Sequence, residues 1–160
     1  MISKMITRPS FKFLIVAIAA SCLLGGCSSV NVNAQNPLRR VLIEAHGNAN
    51  NDLATAVDIV LIYDAYILPV LPKSAPEWFD KKTSLLAGFS QKIEVISVQI
   101  PPASASVLVQ LPKNISKAVS VVSYANYIAS EGQLRGHLDT HTCTRIILEA
   151  FRISYAECSF

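Results

Sequence analysis

Four side chains of the kinds that bind metal ions recur at every second residue near the carboxyl end of the chain. They are His137, Asp139, His141 and Cys143. Imidazole, carboxylate and thiolate are the groups that hold zinc and copper in proteins. On one strand, neighbouring members would stand about 6.5 Å apart and the outer two near 20 Å, so at most two adjacent ones could share an ion. A closed site would need a ligand from elsewhere, and the remaining histidine is His46. The segment is therefore either a weak metal site of His137, Asp139 and His141 or an exposed polar connection before a strand.

No catalytic pattern accompanies this segment. The sequence contains no Gly-x-Ser-x-Gly turn, no phosphate-binding glycine loop and no His-Glu-x-x-His motif. We therefore expect neither enzymatic activity nor a bound cofactor.

The cysteine with the most specific surroundings is Cys27. It follows Leu24-Gly25-Gly26, which resembles the bacterial lipobox: an aliphatic residue, two small residues that fit a protease cleft, and a thiol that accepts diacylglycerol. Three basic residues precede an uninterrupted apolar run over 13–24, which is shorter than the roughly 20 residues of a membrane-spanning helix. Residues 1–26 are therefore predicted to be a cleaved lipoprotein signal peptide, and Cys27 is predicted to carry the lipid.

Lipidation predicts where the protein resides. Two acyl chains hold a protein firmly at a membrane, whereas one gives marginal, reversible binding. Ser28 occupies the position where an aspartate would indicate retention in the inner membrane, so we expect an outer-membrane protein that faces the periplasm. Loss of three basic residues with the signal leaves 11 of the 14 Lys and Arg against 11 Asp and Glu. The mature chain is thus formally neutral and has no basic patch for a nucleic acid.

The mature chain divides into a tether and one domain. Residues 27–38 are polar and Asn-rich, which is typical of a tether, and residues 39–160 are long enough to bury a core. Strands are predicted at 40–45, 57–63, 93–100, 106–111, 118–124, 145–151 and 153–158, with proline and polar turns between them. Ser74-Ala75-Pro76-Glu77 has the form of a capping box and predicts one amphipathic helix that packs on the sheet through Trp78 and Phe89. These elements predict a mainly β protein, a β-sandwich with one additional helix.

Two cysteines remain for the folded domain. In an oxidising periplasm Cys143 and Cys158 could form a disulfide, provided that the chain between them folds back as a hairpin. The alternative is two free, buried thiols.

The order of these features resembles the TssJ lipoproteins of type VI secretion systems, also called SciN or VasD. The resemblance covers about residues 41–158 and includes the first strand, an Asn-rich loop, and a second strand that ends in Ile62-Tyr63. It continues with a helix ending in Lys81-Lys82-Thr83-Ser84-Leu85-Leu86, a strand closed by Pro101-Pro102, the late core strand Val119 to Ala125, and a final hairpin. Leu61 and Leu134-Arg135 depart from the family's strand arginine and Trp-Arg, so a divergent member is expected.

The resemblance implies a transthyretin-like β-sandwich under the outer membrane that binds the periplasmic part of TssM, an inner-membrane protein. In the family, the loop between the first two strands makes this contact, and here it spans 46–55. The implied binding residues are His46, Gly47, Asn48, Asn50, Asn51, Asp52 and Leu53. Independently of the family, asparagine tolerates unusual backbone angles and offers both donors and acceptors, which suits an exposed recognition loop.

Two other functions share parts of this pattern. One is a periplasmic metal-binding lipoprotein that uses His137, Asp139 and His141. The other is a pilotin-like lipoprotein of a different secretion machine. A plain solvated loop without a partner is the alternative to a recognition loop at 46–55.

Overall fold

The structure is a computed structural model, and it describes residues 35–158. Within this range eight strands and one α-helix are formed. The strands are β1 Arg40–Ala45, β2 Thr55–Ile62, β3 Ile93–Ile100, β4 Val107–Leu108, β5 Ser120–Ala125, β6 Gly136–His137, β7 Cys143–Leu148 and β8 Ile153–Glu157, and the helix α1 is Ala75–Gly88. Three 3₁₀-helices lie at Ala65–Val70, Ile115–Lys117 and Ser130–Gly132. The predicted signal peptide and Cys27 lie outside the described residues.

The strands form two four-stranded sheets. One has the order β4-β1-β7-β8, with β1 and β7 parallel, and the other has the order β3-β2-β5-β6 and is antiparallel throughout. The predicted mainly β sandwich is confirmed. The strand predicted at 106–111 is reduced to Val107–Leu108, and the chain then leaves the sheet edge with one further bond, from Val109 N to Val41 O.

Strand β2 is apolar on both faces because each face is covered. Val57, Ile59 and Leu61 point into the core between the two sheets. Val60 and Ile62 point to the opposite face, where α1 lies over the sheet. A strand covered on both sides is expected to be continuously hydrophobic rather than alternating.

The helix is fixed to the sheet by a buried carboxylate. Asp58 accepts hydrogen bonds from Trp78 Nε1 at 2.8 Å and from Ser97 Oγ at 2.6 Å, and it forms an ion pair of 2.8 Å with Lys82. The Trp78 ring stacks on Tyr124 with a centroid separation of 4.8 Å. Burying a carboxylate without partners is costly. The three partners compensate the charge of Asp58 and occupy its lone pairs.

The predicted capping box forms only in part. Ser74 is the N-cap, and proline lies in the first turn, but the Ser74 side chain makes no cap hydrogen bond. The backbone of Ser74 instead pairs with Leu134, and Glu77 forms an exposed ion pair with Lys81. The direction of the helix is therefore set by packing of its apolar face rather than by reciprocal capping.

The ordered domain begins before residue 39. Leu38 is completely buried in the core, and Asn36 is buried with its Oδ1 accepting from Leu38 N. Of the stretch 27–38 that the sequence assigns to the tether, at least Asn36 and Leu38 belong to the domain.

The sandwich has two ends, which we name by what lies there. In one sheet β1 and β7 end side by side at Ala45 and Leu148. In the other sheet β2 begins at Thr55, beside the ends of β3 at Ile100 and of β5 at Ala125. The segments 46–54, 101–106, 126–132 and 149–152 connect strands there, and we call this the loop end. The segments 35–39, 112–119 and 138–142 lie at the other end, which we call the tether end. The segment 63–72 starts there, where Asp64 pairs with Lys92, and then passes over the outer face of the second sheet, where Pro72 O accepts from the Tyr124 hydroxyl. Among residues 35–158 no helix combines the length and hydrophobicity that crossing a bilayer requires.

Candidate docking surface at the loop end

The segment 46–54 crosses from one sheet to the other. Because β1 and β2 lie in different sheets, it is a crossover at the end of the sandwich and not a hairpin loop. Its backbone is attached to the β7–β8 turn, since His46 N donates to Leu148 O at 2.9 Å and Asn50 N to Glu149 O at 3.1 Å. The segment is therefore held at both of its flanks by regular structure.

Three consecutive residues of this crossover have left-handed backbone angles. The φ values are 49° at Asn50, 56° at Asn51 and 63° at Asp52. Asparagine and aspartate enter this region with less strain than other residues that carry a Cβ. The Asn-rich composition of the crossover therefore has a structural cause.

Asn50 is a structural residue. Only 3% of it is exposed, its Nδ2 donates to Asn126 O at 3.2 Å, and its Oδ1 accepts from Ile128 N at 2.9 Å. The expectation that Asn50 faces a partner is therefore wrong, because its amide is used within the domain. Ala49 is also buried, so the crossover is not exposed along its whole length.

The remaining predicted residues of this loop are exposed. These are His46, Gly47, Asn48, Asn51, Asp52 and Leu53. Leu53 is the largest apolar side chain among them and is 51% exposed. The crossover therefore presents amide and carboxylate groups around one exposed leucine.

Two further exposed apolar residues flank the buried Asn50. Ile128 is 61% exposed, and its own N–H is the group that binds Asn50. Phe151 is 63% exposed and follows Ala150, whose carbonyl accepts from Asn51 N at 3.2 Å. Isolated apolar residues on a surface are ordinary, but three from separate segments around one buried side chain are typical of an interaction site.

We call this surface the loop-end patch: Leu53, Ile128 and Phe151 with the exposed Asn48, Asn51 and Asp52. Ile128 and Phe151 are not among the residues predicted from the sequence. They belong to segments about 75 to 100 residues from the crossover, and the available signal was an apolar side chain within an otherwise polar turn.

The segment that carries Ile128 is rigidly supported. Tyr127 is buried, its hydroxyl donates to Glu149 O at 2.7 Å, and burial raises its pKa to about 12. A Cβ at Gly132 would lie 2.3 Å from the Tyr127 ring, so glycine is required for this close approach. The patch is thus built on fixed supports, so its side chains would need little further ordering in an interface.

The charge at the loop end is mainly acidic. Asp52 is exposed, and Glu131 lies on the 126–132 segment. Glu149 binds Arg152 at 2.9 Å and Ser154 at 2.8 Å, and the Arg152 guanidinium holds the pKa of this carboxyl below its usual range. A partner with basic groups at its rim would be favoured by this charge.

The candidate metal ligands do not converge. His137 is exposed on β6, and Asp139 Oδ2 accepts from Val121 N at 3.0 Å. His141 lies 3.5 Å from Glu157. Within residues 35–158 no three histidine, cysteine or acidic side chains are grouped so that they could hold a metal ion.

Cys143 and Cys158 are joined by a disulfide, with Cα atoms 5.2 Å apart. They lie at the open end of the β7–β8 hairpin, and Cys158 N also donates to Cys143 O at 3.1 Å. The fold-back that the sequence required for this bond is therefore formed.

Comparison with known proteins rests on structure. No protein-family model matches the sequence, and no curated protein matches it either. The lipoprotein TssJ1 of the type VI secretion system of Pseudomonas aeruginosa superposes with a TM-score of 0.54 at 14% identity, over 78% of this chain and 99% of that chain. This chain has the TssJ fold.

A second TssJ-like structure is Lip from Serratia marcescens, described as a membrane-bound component of the type VI secretion system. It superposes with a TM-score of 0.52 at 9% identity, over 75% of this chain and 96% of that chain. A third match is a chain of a structure described as the TssM C-terminal domain, 869–1107, from EAEC, with a TM-score of 0.50 at 17% identity, over 74% of this chain and 97% of that chain. The TssJ fold is thus shared across large sequence divergence.

Proposed function

We propose that this protein is a TssJ-type lipoprotein that docks the periplasmic part of a type VI secretion membrane complex to the outer membrane. A lipid on Cys27 anchors it, and the loop-end patch binds a TssM-like partner. The observation that carries this proposal is the loop-end patch on a TssJ fold: exposed Leu53, Ile128 and Phe151 stand on a rigid, internally bonded support.

The third structural match supports the choice of partner. Since 74% of this 160-residue chain covers 97% of the matched chain, the matched chain is about 120 residues long. The range 869–1107 spans about 240 residues. The matched chain is thus close to TssJ in size and comes from a structure described as a TssM C-terminal domain, which supports a TssM-like partner for this protein.

The composition of the patch suits a protein partner. Hot spots of protein interfaces are large side chains that become fully desolvated, surrounded by polar groups that exclude water. Phe151 and Ile128 supply the former, and the amide and carboxylate groups of Asn48, Asn51 and Asp52 supply the latter. No catalytic step is required of these groups.

Binding is tested with the full-length, lipidated protein in detergent and the purified periplasmic domain of the cognate TssM-like protein. We expect Leu53→Ser and Phe151→Ser each to weaken binding by about tenfold, and the double variant by more, because buried apolar contact is lost. Leu108→Ser is the matched control, since Leu108 is 53% exposed but lies on the edge strand β4. Equal binding by the double variant and the control would overturn the assignment of the patch.

The anchor is tested separately. Cys27→Ser is expected to leave an uncleaved, unlipidated precursor that fractionates away from the outer membrane, because the thiol that accepts the lipid is gone. Unchanged outer-membrane fractionation would contradict the anchor and would leave the patch untouched.

A further inference from the structure

The tether end carries its own exposed apolar group, separate from the loop-end patch. The 3₁₀-helix Ala65–Val70 follows β2 directly and presents Tyr66, Leu68 and Val70 to solvent, whereas Ile67 is buried beneath it. Tyr66 is 91% exposed, the largest exposure among the large apolar side chains in residues 35–158. Asp64 Oδ1 accepts from Tyr66 N at 3.0 Å, so the protruding turn is capped and held in place.

This turn begins at the end of the domain from which the tether departs. Asn36 N donates to Ser116 O, and Val119 N donates to Ile62 O at 2.7 Å. The chain then passes from Ile62 through Tyr63 and Asp64 into the 3₁₀-helix. Between Cys27 and the described residues only seven residues, 28–34, intervene, and they reach at most about 25 Å when fully extended.

Basic side chains without an ion pair lie at the same end of the domain. Lys113 and Lys117 lie on the segment that binds Asn36, both are exposed, and neither forms an ion pair with another described residue. The Arg39 guanidinium donates only to the backbone carbonyls of Asn36 and Leu38 among these residues. At the tether end Asp64 is already paired with Lys92, and Asp139 accepts from Val121 N. At the loop end, in contrast, the exposed charges without an ion pair among the described residues are the acidic Asp52 and Glu131.

We propose that the tether end is a membrane-contacting surface, on which Tyr66, Leu68 and Val70 enter the interface of a phospholipid bilayer and Lys113 and Lys117 bind its anionic headgroups. This proposal rests on the lipid at Cys27, which is part of the proposed function. Tyrosine is favoured at the membrane interface because its ring is apolar and its hydroxyl stays hydrated. A lysine close to an anionic surface strengthens contact by about fivefold.

The consequence is a fixed orientation. With the tether end on the bilayer, the loop-end patch points away from the membrane, at the opposite ends of strands of six to eight residues. An unoriented domain on a short tether would present the patch to the bilayer for part of the time. The membrane contact therefore keeps the patch available to a partner that approaches from the periplasm.

The test measures which end touches lipid. Full-length lipidated Tyr66→Trp and Leu53→Trp proteins are reconstituted in vesicles of three parts phosphatidylcholine to one part phosphatidylglycerol, with and without brominated acyl chains. The native Trp78 is fully buried and gives a constant background. We expect bromine to quench the emission of Tyr66→Trp and to leave Leu53→Trp at the level of the wild type.

Two outcomes overturn the proposal. Quenching of Tyr66→Trp no greater than that of the wild type removes the contact, and equal quenching of both variants removes the orientation. Co-flotation of the protein with vesicles reports the anchor separately, so loss of flotation would contradict lipidation, whereas flotation without quenching contradicts only the membrane contact.

A second variant tests the basic groups. In the Tyr66→Trp background, Lys113→Gln with Lys117→Gln is expected to reduce contact on the order of tenfold in vesicles that contain phosphatidylglycerol. It should have little effect in pure phosphatidylcholine. Lys81→Gln, on α1, is the matched control and should leave quenching unchanged in both. Equal effects of the two sets of substitutions would contradict headgroup binding.

Discussion

Two regions of the domain are each organised around one buried polar side chain. On the helix-covered face of the sheet, Asp58 holds Trp78, Ser97 and Lys82. At the loop end, Asn50 holds the backbone of Asn126 and Ile128. The difference lies in the surrounding apolar side chains, which are buried beside Asp58 and exposed beside Asn50.

Under the proposed function, this difference separates the residues that stabilise the fold from those that recognise a partner. Trp78 and Tyr124 beside Asp58 are completely buried, so their contribution is made on folding. Leu53, Ile128 and Phe151 beside Asn50 leave most of their apolar surface in water. That surface is still available to be buried when a partner binds. Substitutions in the two regions should therefore change different measurable quantities.

The largest expected effect is that of Trp78→Ala. It removes a buried indole, its stacking on Tyr124 and its bond to Asp58, and should lower the free energy of unfolding by about 3–5 kcal/mol. Urea denaturation followed by far-UV circular dichroism measures this. A loss below about 1 kcal/mol would show that α1 is not fixed to the sheet through this residue.

Asp58→Ala follows in magnitude. It leaves Lys82, Ser97 and Trp78 without their shared acceptor, and we expect a loss of about 3 kcal/mol in the same denaturation experiment. Lys81→Ala is the matched control, because its ion pair with Glu77 is exposed and should contribute little. Comparable losses in the two variants would contradict a structural role of the buried pair.

Asn50→Ala should have a smaller effect on stability, about 2 kcal/mol, since it removes two hydrogen bonds and places alanine at a φ of 49°. Asn50→Gly removes the same bonds without the backbone strain, so it should lose less. Binding of a TssM-like domain should weaken in both variants because the support of the patch is loosened. If both variants bind and unfold like the wild type, the proposed support is wrong.

The smallest effect concerns pH. Arg152 lowers the pKa of Glu149 in the folded state relative to the unfolded chain, so the stabilisation is present above the unfolded pKa and is lost as the pH falls through the folded value. The pair is largely exposed, and we expect a contribution below about 1 kcal/mol. With Glu149→Gln, the free energy of unfolding should depend less on pH below pH 5. An unchanged profile would show that the pair contributes nothing to stability.

The sequence predicts the regular elements better than the interactions between them. Strands β1 and β3 match their predicted limits because a polar segment or a proline pair ends each apolar run. The role of Asn50 could not be predicted, since its partners lie 76 and 78 residues away. The two-residue strands β4 and β6 are too short for periodicity to define.

The candidate site shows the same limit. The loop at 46–55 could be named from its resemblance and its asparagines, but the sequence does not show which of them face outward. Burial of Asn50 and exposure of Leu53 depend on the crossover between two sheets. Ile128 and Phe151 join the patch only because distant turns meet at one end of the sandwich.

Hydrogen exchange of the full-length protein in detergent, with and without the TssM-like periplasmic domain, tests the central claim most directly. We predict that partner binding slows exchange in 46–54, 126–132 and 149–152 and leaves Ala75–Gly88 and Ala65–Val70 unchanged. Slower exchange confined to the helix or to the tether end, with none at the loop end, would contradict the account.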